Sequence, residues 1–351
     1  MATSTYPTRK LGANGPAISA IGFGSMGIGP SVYGHSNRED SFKTLTYAAD
    51  RGVTFWDTAD IYGDSEEIIG NWFAKTGRRS EIFLATEFGA RDVETKEMKQ
   101  NSKPSYIRRR LASSLEKLQT DWIDLCYQHR VDPEVPIEVV METLAEFVKD
   151  GMIKYIGLSE CSADVLERAK SVPIAGERII ACQMEYSPIE LYIEQSGFVA
   201  TARELGVSVV AYSPLGRGLI TGRFKSPADL GKDDHRRLLP RFSPENLPKN
   251  VEMVDKFSEV ASKYGATPSQ ITLAWILAEN PDFVPIPGTR TVERLEENAK
   301  AAEVALKDED VKALRAIVDA ADVHGGRIAS QYALFAVSDC IPLSEWKGES
   351  N

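Results

Sequence analysis

The chain has 351 residues, 42% hydrophobic and 26% charged, which is the composition of an ordinary globular protein. Lys and Arg total 41 against 51 Asp and Glu, a formal charge of −10 that argues against nucleic acid or an anionic membrane surface as the main partner. No stretch has the roughly 18 uninterrupted apolar residues of a membrane span. The opening MATSTYPTRK lacks the apolar segment of a signal peptide, so a cytoplasmic location is expected. Cys126, Cys161, Cys182 and Cys340 form neither a C-x-x-C pair nor a zinc-like spacing, and they read as structural thiols of a reducing compartment.

Along the chain, short apolar runs alternate with longer amphipathic ones. Strands are predicted over residues 21–26, 54–59, 82–88, 123–129, 155–159, 180–186, 207–213 and 283–288. They are apolar through most of their length, as strands covered on both faces are. Helical spacing recurs over 65–74, 105–118, 137–149, 163–169, 197–205, 269–278 and 292–301. Pro104, Pro136 and Pro268 sit near helix starts, where the missing N–H is not needed. Gly52, Gly77, Gly151 and Gly206 sit where helices should end.

Strand and helix alternate eight times, which implies a parallel sheet with helical crossovers. Eight units favour closure. The expected fold is α/β, a (β/α)8 TIM barrel forming a single domain over 1–351, with its core at about 18–303. An added helix at 308–320 and a tail lie within 304–351. Segment 219–250 holds Pro227, Pro240, Pro244 and Pro248 among many charges and follows the seventh strand. A loop of that length is expected to be functional or mobile over the C-terminal mouth; the plain alternative is a solvated excursion.

The second strand runs into Asp57, Thr58, Ala59, Asp60, Ile61 and Tyr62. A Tyr at a barrel mouth can donate a proton to a carbonyl oxygen as hydride reaches its carbon, provided a neighbour tunes its pKa. The fourth strand ends in His129, which supplies an imidazole at the same mouth. Of the other histidines, His35 and His235 fall in loops and His324 in the tail. Asp57, Tyr62 and His129 together form the candidate catalytic set. No His/Asp cluster has the spacing of a metal-dependent hydrolase. Gly22, Gly24 and Gly27 begin a barrel strand and give only a loose match to G-x-G-x-x-G, so a Rossmann reading is rejected.

The stretches IGFGSMG, GVTFWDTADIYGDSEEIIG, EIFLATEFG, IDLCYQHRVD, GMIKYIGLSECS, CQMEYSP, VVAYSPLGRGLITG and VPIPGTRTVERLEENAKA run in order from Ile21 to Ala302. Together they resemble the aldo-keto reductases, in the branch of fungal and plant pyridoxal- and aryl-aldehyde-type reductases. The resemblance implies a (β/α)8 barrel and reduction of a small-molecule carbonyl compound with NADPH. It makes Tyr62 the proton donor, His129 the residue that orients the carbonyl, and Asp57 a supporting carboxylate. The family's fourth catalytic member, a Lys, falls where this chain has Glu87. Three readings of Glu87 stand side by side: a substitution introduced to weaken turnover, a natural variant with altered chemistry, or a shifted loop that turns the side chain away. Two carboxylates sharing one buried site should retain a proton.

The same resemblance assigns the NADPH/NADP+ site. The loop of Gly288, Thr289 and Arg290 leads into a helix start, which suits an anion, and Arg290 and Arg294 would fork around the adenosine 2′-phosphate; the plain alternative is a capped, salt-bridged helix start. Glu297 and Asn298 would hold the adenine edge. Ser213, Leu215 and Gly218, in the small-residue turn after the seventh strand, would close over the pyrophosphate. Tyr212 would stack on the nicotinamide, and Ser159 and Gln183 would hold its carboxamide, with Glu160 where the family commonly has Asn. Tyr33, Trp56, Phe88 and Arg130 are candidate pocket residues. A rival reading is a nucleotide-binding partner protein resembling potassium-channel β-subunits, with little turnover. Oligomeric state stays open.

Overall fold

A computed structural model describes residues 6–29, 37–232, 234–329 and 336–349. Tyr33 and His35 lie outside the described residues. Strands β1 (Thr8–Lys10) and β2 (Ala17–Ser19) pair as an antiparallel hairpin. Eight parallel strands follow: β3 (Phe23–Gly24), β4 (Phe55–Asp57), β5 (Phe83–Phe88), β6 (Ile123–Gln128), β7 (Ile153–Ser159), β8 (Ile179–Glu185), β9 (Ser208–Tyr212) and β10 (Phe283–Pro285). Each pairs with the next in chain order. The last returns to the first: the Gly22 amide donates to the Pro285 carbonyl at 2.9 Å, and Gly24 bridges Gly288 in parallel. A Cβ on Gly24 would come within 2.9 Å of the Ile286 carbonyl oxygen, so closure at this seam needs glycine. The fold is the expected (β/α)8 barrel.

All eight predicted strands are present, several of them shorter than predicted. The added helix is Asp308–Asp319. Besides the four-residue helices Ala175–Arg178 and Tyr192–Gln195, two long helices carry no prediction. Arg38–Arg51 buries mainly small residues, Ser41, Thr44, Ala48 and Ala49 around Leu45, so its apolar stripe is faint. It is marked instead by its ends: the Asn37 side chain accepts the Glu39 amide at 2.8 Å, and Gly52 follows at φ 85°. Leu247–Lys263 was hidden by Pro248, which sits in its first turn, where proline is tolerated. Segment 219–250 is therefore a run of short 3-10 turns feeding that helix rather than one open loop.

The barrel interior explains where the chemistry sits. The hairpin side plugs the bottom with Leu11 and Ile18. Inward residues Phe55, Ala85, Leu125, Ala181, Val210 and Val284 fill the next level. Strand period two then carries the same inward face to Asp57, Glu87, Tyr127, Gln183 and Tyr212 at the C-terminal ends. Tyr127 floors this polar level; a Cβ on Gly157 would meet its ring at 2.3 Å, so the neighbouring strand makes room by having none. No helix among the described residues is long and apolar enough to cross a membrane.

Candidate active site

Asp57 ends β4, Glu87 lies on β5 and His129 directly follows β6; all three are buried. Tyr62, five residues past Asp57, is partly exposed, yet its hydroxyl donates to Glu87 Oε1 at 3.4 Å. Its ring stands edge-on to His129, with centroids 5.8 Å apart and planes at 89°. Glu87 Oε2 is 3.7 Å from His129 Nε2. Gln183 Nε2 donates to Asp57 Oδ2 at 3.0 Å. The structure thus brings the four sequence-predicted residues to one point, and Glu87 faces into it.

The electrostatics follow from crowding two carboxyls into a dry site. Burial, then the charge of Glu87, pushes the Asp57 carboxyl well above its ordinary range. Burial pushes Glu87 up to about 8, opposed by the charge of Arg130. Burial and the charges of Glu87 and Asp57 drive the Tyr62 phenol upward, while Arg130 pulls it back. Burial, then Arg130, lowers His129 well below 6.5, so its imidazole is neutral at neutral pH. His129 Nδ1 and Glu87 Oε2 are buried without a hydrogen-bond partner. A buried polar atom left unpaired is costly. Among the described residues no group of three or more His, Cys, Asp and Glu is arranged to hold a metal.

Around the adjoining rim stand Ser159, Glu160, Gln183 and Tyr212. Ser159 Oγ accepts from Arg130 Nη1 at 3.1 Å. Glu160 sits at φ 50°, and its Oε1 accepts the Glu185 amide at 3.1 Å. Arg327, from the C-terminal tail, reaches this rim and joins Glu160 Oε2, Glu185 Oε2 at 3.1 Å and the Tyr212 hydroxyl at 3.4 Å. Glu160 and Glu185 are 1% and 3% exposed, and Arg327 pairs with both, with Arg217 3.5 Å from Glu185 as a second cation. Replacing Arg327 with Ala is expected to lower unfolding free energy by about 3 kcal/mol, because it strands buried charge. Urea denaturation measures it; an unchanged midpoint would mean the tail contributes nothing there.

The turn after β9 coils tightly. Ser213, Gly216, Arg217 and Gly218 have φ of 48°, 57°, 57° and 94°. Leu215 between them packs with Ile21, Leu273, Leu277 and Ala301. Past β10, Gly288 is exposed and Thr289 buried. Thr291 Oγ1 caps the helix Val292–Lys300 by accepting the Arg294 amide at 3.4 Å. Arg290 and Arg294 lie at this helix start, with Glu297 half-buried and Asn298 buried one turn on. Burial and the neighbouring charges of Arg223, Arg290 and Arg236 press the Arg294 pKa down. Arg223 pairs with Glu297 at 3.2 Å, and Arg236 lies over the Phe224 ring at 4.1 Å.

Sequence reasoning missed Arg223, Arg236, Glu185 and Arg327 as members of these clusters. Arg223, Arg236 and Arg327 come from the excursion after β9 and from the tail, where no periodicity fixes side-chain direction; Glu185 ends β8 two residues past inward Gln183, so strand period could have found it. Two candidate pocket residues prove to be core. Trp56 is fully buried against Phe23, Trp72 and Phe73, because its position on β4 points outward to the helices. Phe88, adjacent to inward Glu87, points outward likewise and packs in the main helix–sheet core. Arg130 does sit at the mouth.

The Aldo/keto reductase family profile matches residues 20–319. Aldo-keto reductase str7 of Strobilurus tenacellus is 48% identical over 344 residues, 96% of this chain and 99% of that protein. Aldo-keto reductase yakc [NADP(+)] of Schizosaccharomyces pombe is 48% identical over 329 residues, covering 92% of this chain and 94% of its own. Among solved structures, the thermostable aldo-keto reductase Tm1743, determined with the inhibitor epalrestat, is 31% identical. It superposes with a TM-score of 0.72 over 89% of this chain and 99% of its own. Family profile, sequence relatives and barrel agree: the chain belongs to the aldo/keto reductase family.

Proposed function

We propose that this chain reduces an aldehyde or ketone, aromatic carbonyls included, to the alcohol with NADPH, and that Tyr62 donates the proton. The observation that carries the reading is the convergence of Tyr62, His129 and Asp57 at one barrel mouth, with the Tyr62 and His129 rings in a T-shaped contact, centroids 5.8 Å apart. The neutral imidazole of His129 can orient a carbonyl oxygen by hydrogen bonding without competing for its proton. Tyr62 then protonates that oxygen. Asp57, held by Gln183, fixes the floor of the site.

The residues present fit NADPH. The guanidiniums of Arg223, Arg236, Arg290 and Arg294 gather at a capped helix N-terminus, which suits a 2′-phosphate. The tight turn over Ser213, Leu215 and Gly218 suits the pyrophosphate, and Tyr212, Ser159 and Gln183 surround the place for the nicotinamide. When bound, the dinucleotide supplies the hydride. The yakc relative, named as an NADP(+) enzyme, supports the same choice. NADPH is therefore expected to bind more tightly than NADH. Replacing Arg294 with Ala should weaken NADPH at least about tenfold, since a charge-assisted contact is worth roughly 1.5–3 kcal/mol, and leave NADH nearly unchanged. Equal affinities in the unmodified chain, measured by fluorescence titration, would sink this assignment.

A second reading rests on Glu87. A carboxyl where the family has a cation makes Tyr62 a poorer acid, as suits a nucleotide-binding partner with little turnover. Steady-state assay with an aromatic aldehyde beside direct NADPH titration separates the two: tight binding without turnover favours the partner.

A further inference from the structure

Position 87 has lost a cation, but the mouth holds another. Arg130 directly follows His129 and is 8% exposed. Its Nη1 donates to the His129 carbonyl and to Ser159 Oγ at 3.1 Å. Its guanidinium carbon lies 5.9 Å from the centre of the Tyr212 ring. Contacts from the ends of β6, β7 and β9 thus hold it at the mouth.

His129, the chain neighbour of Arg130, stands edge-on to the Tyr62 ring and 3.7 Å from Glu87, which sets Arg130 at the same mouth as the groups on which its charge acts. They are Tyr62 beyond β4, Glu87 on β5, His129 itself, Glu160 beyond β7 and Tyr212 on β9. Asp57 on β4, Glu185 on β8, Arg217 after β9 and Arg327 of the tail are further charged groups of the mouth. Around Tyr62, the carboxyls of Glu87 and Asp57 oppose formation of a phenolate and Arg130 favours it. A guanidinium keeps its charge over the whole working pH range and, held by fixed contacts, needs no reorganisation as charge develops.

We propose that Arg130 is a positioning residue that supplies the positive field for the developing Tyr62 phenolate, in the role left open by Glu87. The inference rests on the reading of Tyr62 as proton donor. It differs from a structural role in one measurable way. A strut matters equally whatever stands at position 87, whereas a substitute cation matters less once a lysine is restored.

The test is a double-mutant cycle on kcat for one aromatic aldehyde. Arg130→Gln in the present chain is expected to lower kcat by about 100-fold, the scale of removing one preorganised electrostatic group. In the Glu87→Lys background the same change should cost less than about tenfold, because the new ammonium already faces Tyr62. Arg130→Lys, which keeps the charge, should stay within about tenfold of the parent. A readout independent of turnover is the carboxyl infrared band of Glu87, identified by its loss in Glu87→Gln. Arg130→Gln should move its titration to higher pH, since the cation that favours its ionised form is gone. Equal losses in both backgrounds, or an unmoved carboxyl titration, overturn the proposal. So does an Arg130→Lys variant as slow as Arg130→Gln. If Arg130→Gln does not fold, Arg130→Lys decides alone: activity near the parent supports the charge, and collapse of kcat with NADPH affinity intact overturns it. Tyr62→Phe in the same assay separates the two levels. Full activity there removes the donor reading itself, while an inactive Tyr62→Phe beside a background-independent Arg130→Gln removes only the present inference.

Discussion

Replacing Tyr62 with Phe is expected to remove nearly all carbonyl reduction, by about 10³-fold or more, within the range that positioned general acids supply. Such a loss corresponds to roughly 4 kcal/mol in the barrier. The change deletes one oxygen. The ring that stands edge-on to His129 is kept, so the architecture of the mouth should survive. The deleted hydroxyl makes one hydrogen bond, to Glu87 at 3.4 Å, which is too long to contribute much to stability. NADPH affinity should stay within a few-fold, because the Arg290 and Arg294 corner lies at a different helix start. Turnover of one aldehyde by both proteins, with cofactor titrations alongside, is the measurement. A variant that keeps most of its activity would move the donor role elsewhere, with His129 the first suspect.

The sequence was informative where a rigid period governs the side chain. Strand alternation places Asp57 two residues beyond Phe55 and Glu87 two beyond Ala85, so an apolar run ending in an acid already says which face the acid shares. The same rule, applied strictly, would have moved Trp56 and Phe88 out of the pocket, since each is adjacent to an inward residue. Arg38–Arg51 was illegible because its buried face is built from Ser, Thr and Ala, which carry little hydrophobic contrast. Arg223, Arg236 and Arg327 were illegible for another reason. Each comes from a segment without a repeating pattern, and its target is fixed only by the charge it meets after folding. The tail shows this most clearly: Arg327 lies among small and polar residues, and its buried partners Glu160 and Glu185 are more than a hundred residues away.

Replacing Glu87 with Lys is expected to raise turnover by about two orders of magnitude or more at neutral pH, with cofactor binding little changed, since losing a buried opposite charge can exceed 1.4 kcal/mol several times over. Proton transfer from Tyr62 leaves a phenolate, and the environment of that oxygen sets the rate. An ionised Glu87 repels it. A neutral Glu87 only spares the repulsion and offers a hydrogen bond. A lysine there would attract the phenolate and pair with Asp57, whose carboxyl is otherwise pushed up by burial and by Glu87 itself. The pH dependence follows from Glu87, which burial pushes up to about 8. Below that value its carboxyl is neutral and the parent keeps its reduced activity. As pH rises through about 8 the carboxylate forms beside the phenol, and the parent's turnover falls. The Glu87→Lys variant lacks that group and should lack that fall, so the ratio of the two rates widens from pH 5 to pH 9. Both proteins on one aromatic aldehyde across this range give the answer. If Glu87→Lys is no faster at any pH, the carboxyl belongs to a different working mechanism, and position 87 is not a lost lysine in function.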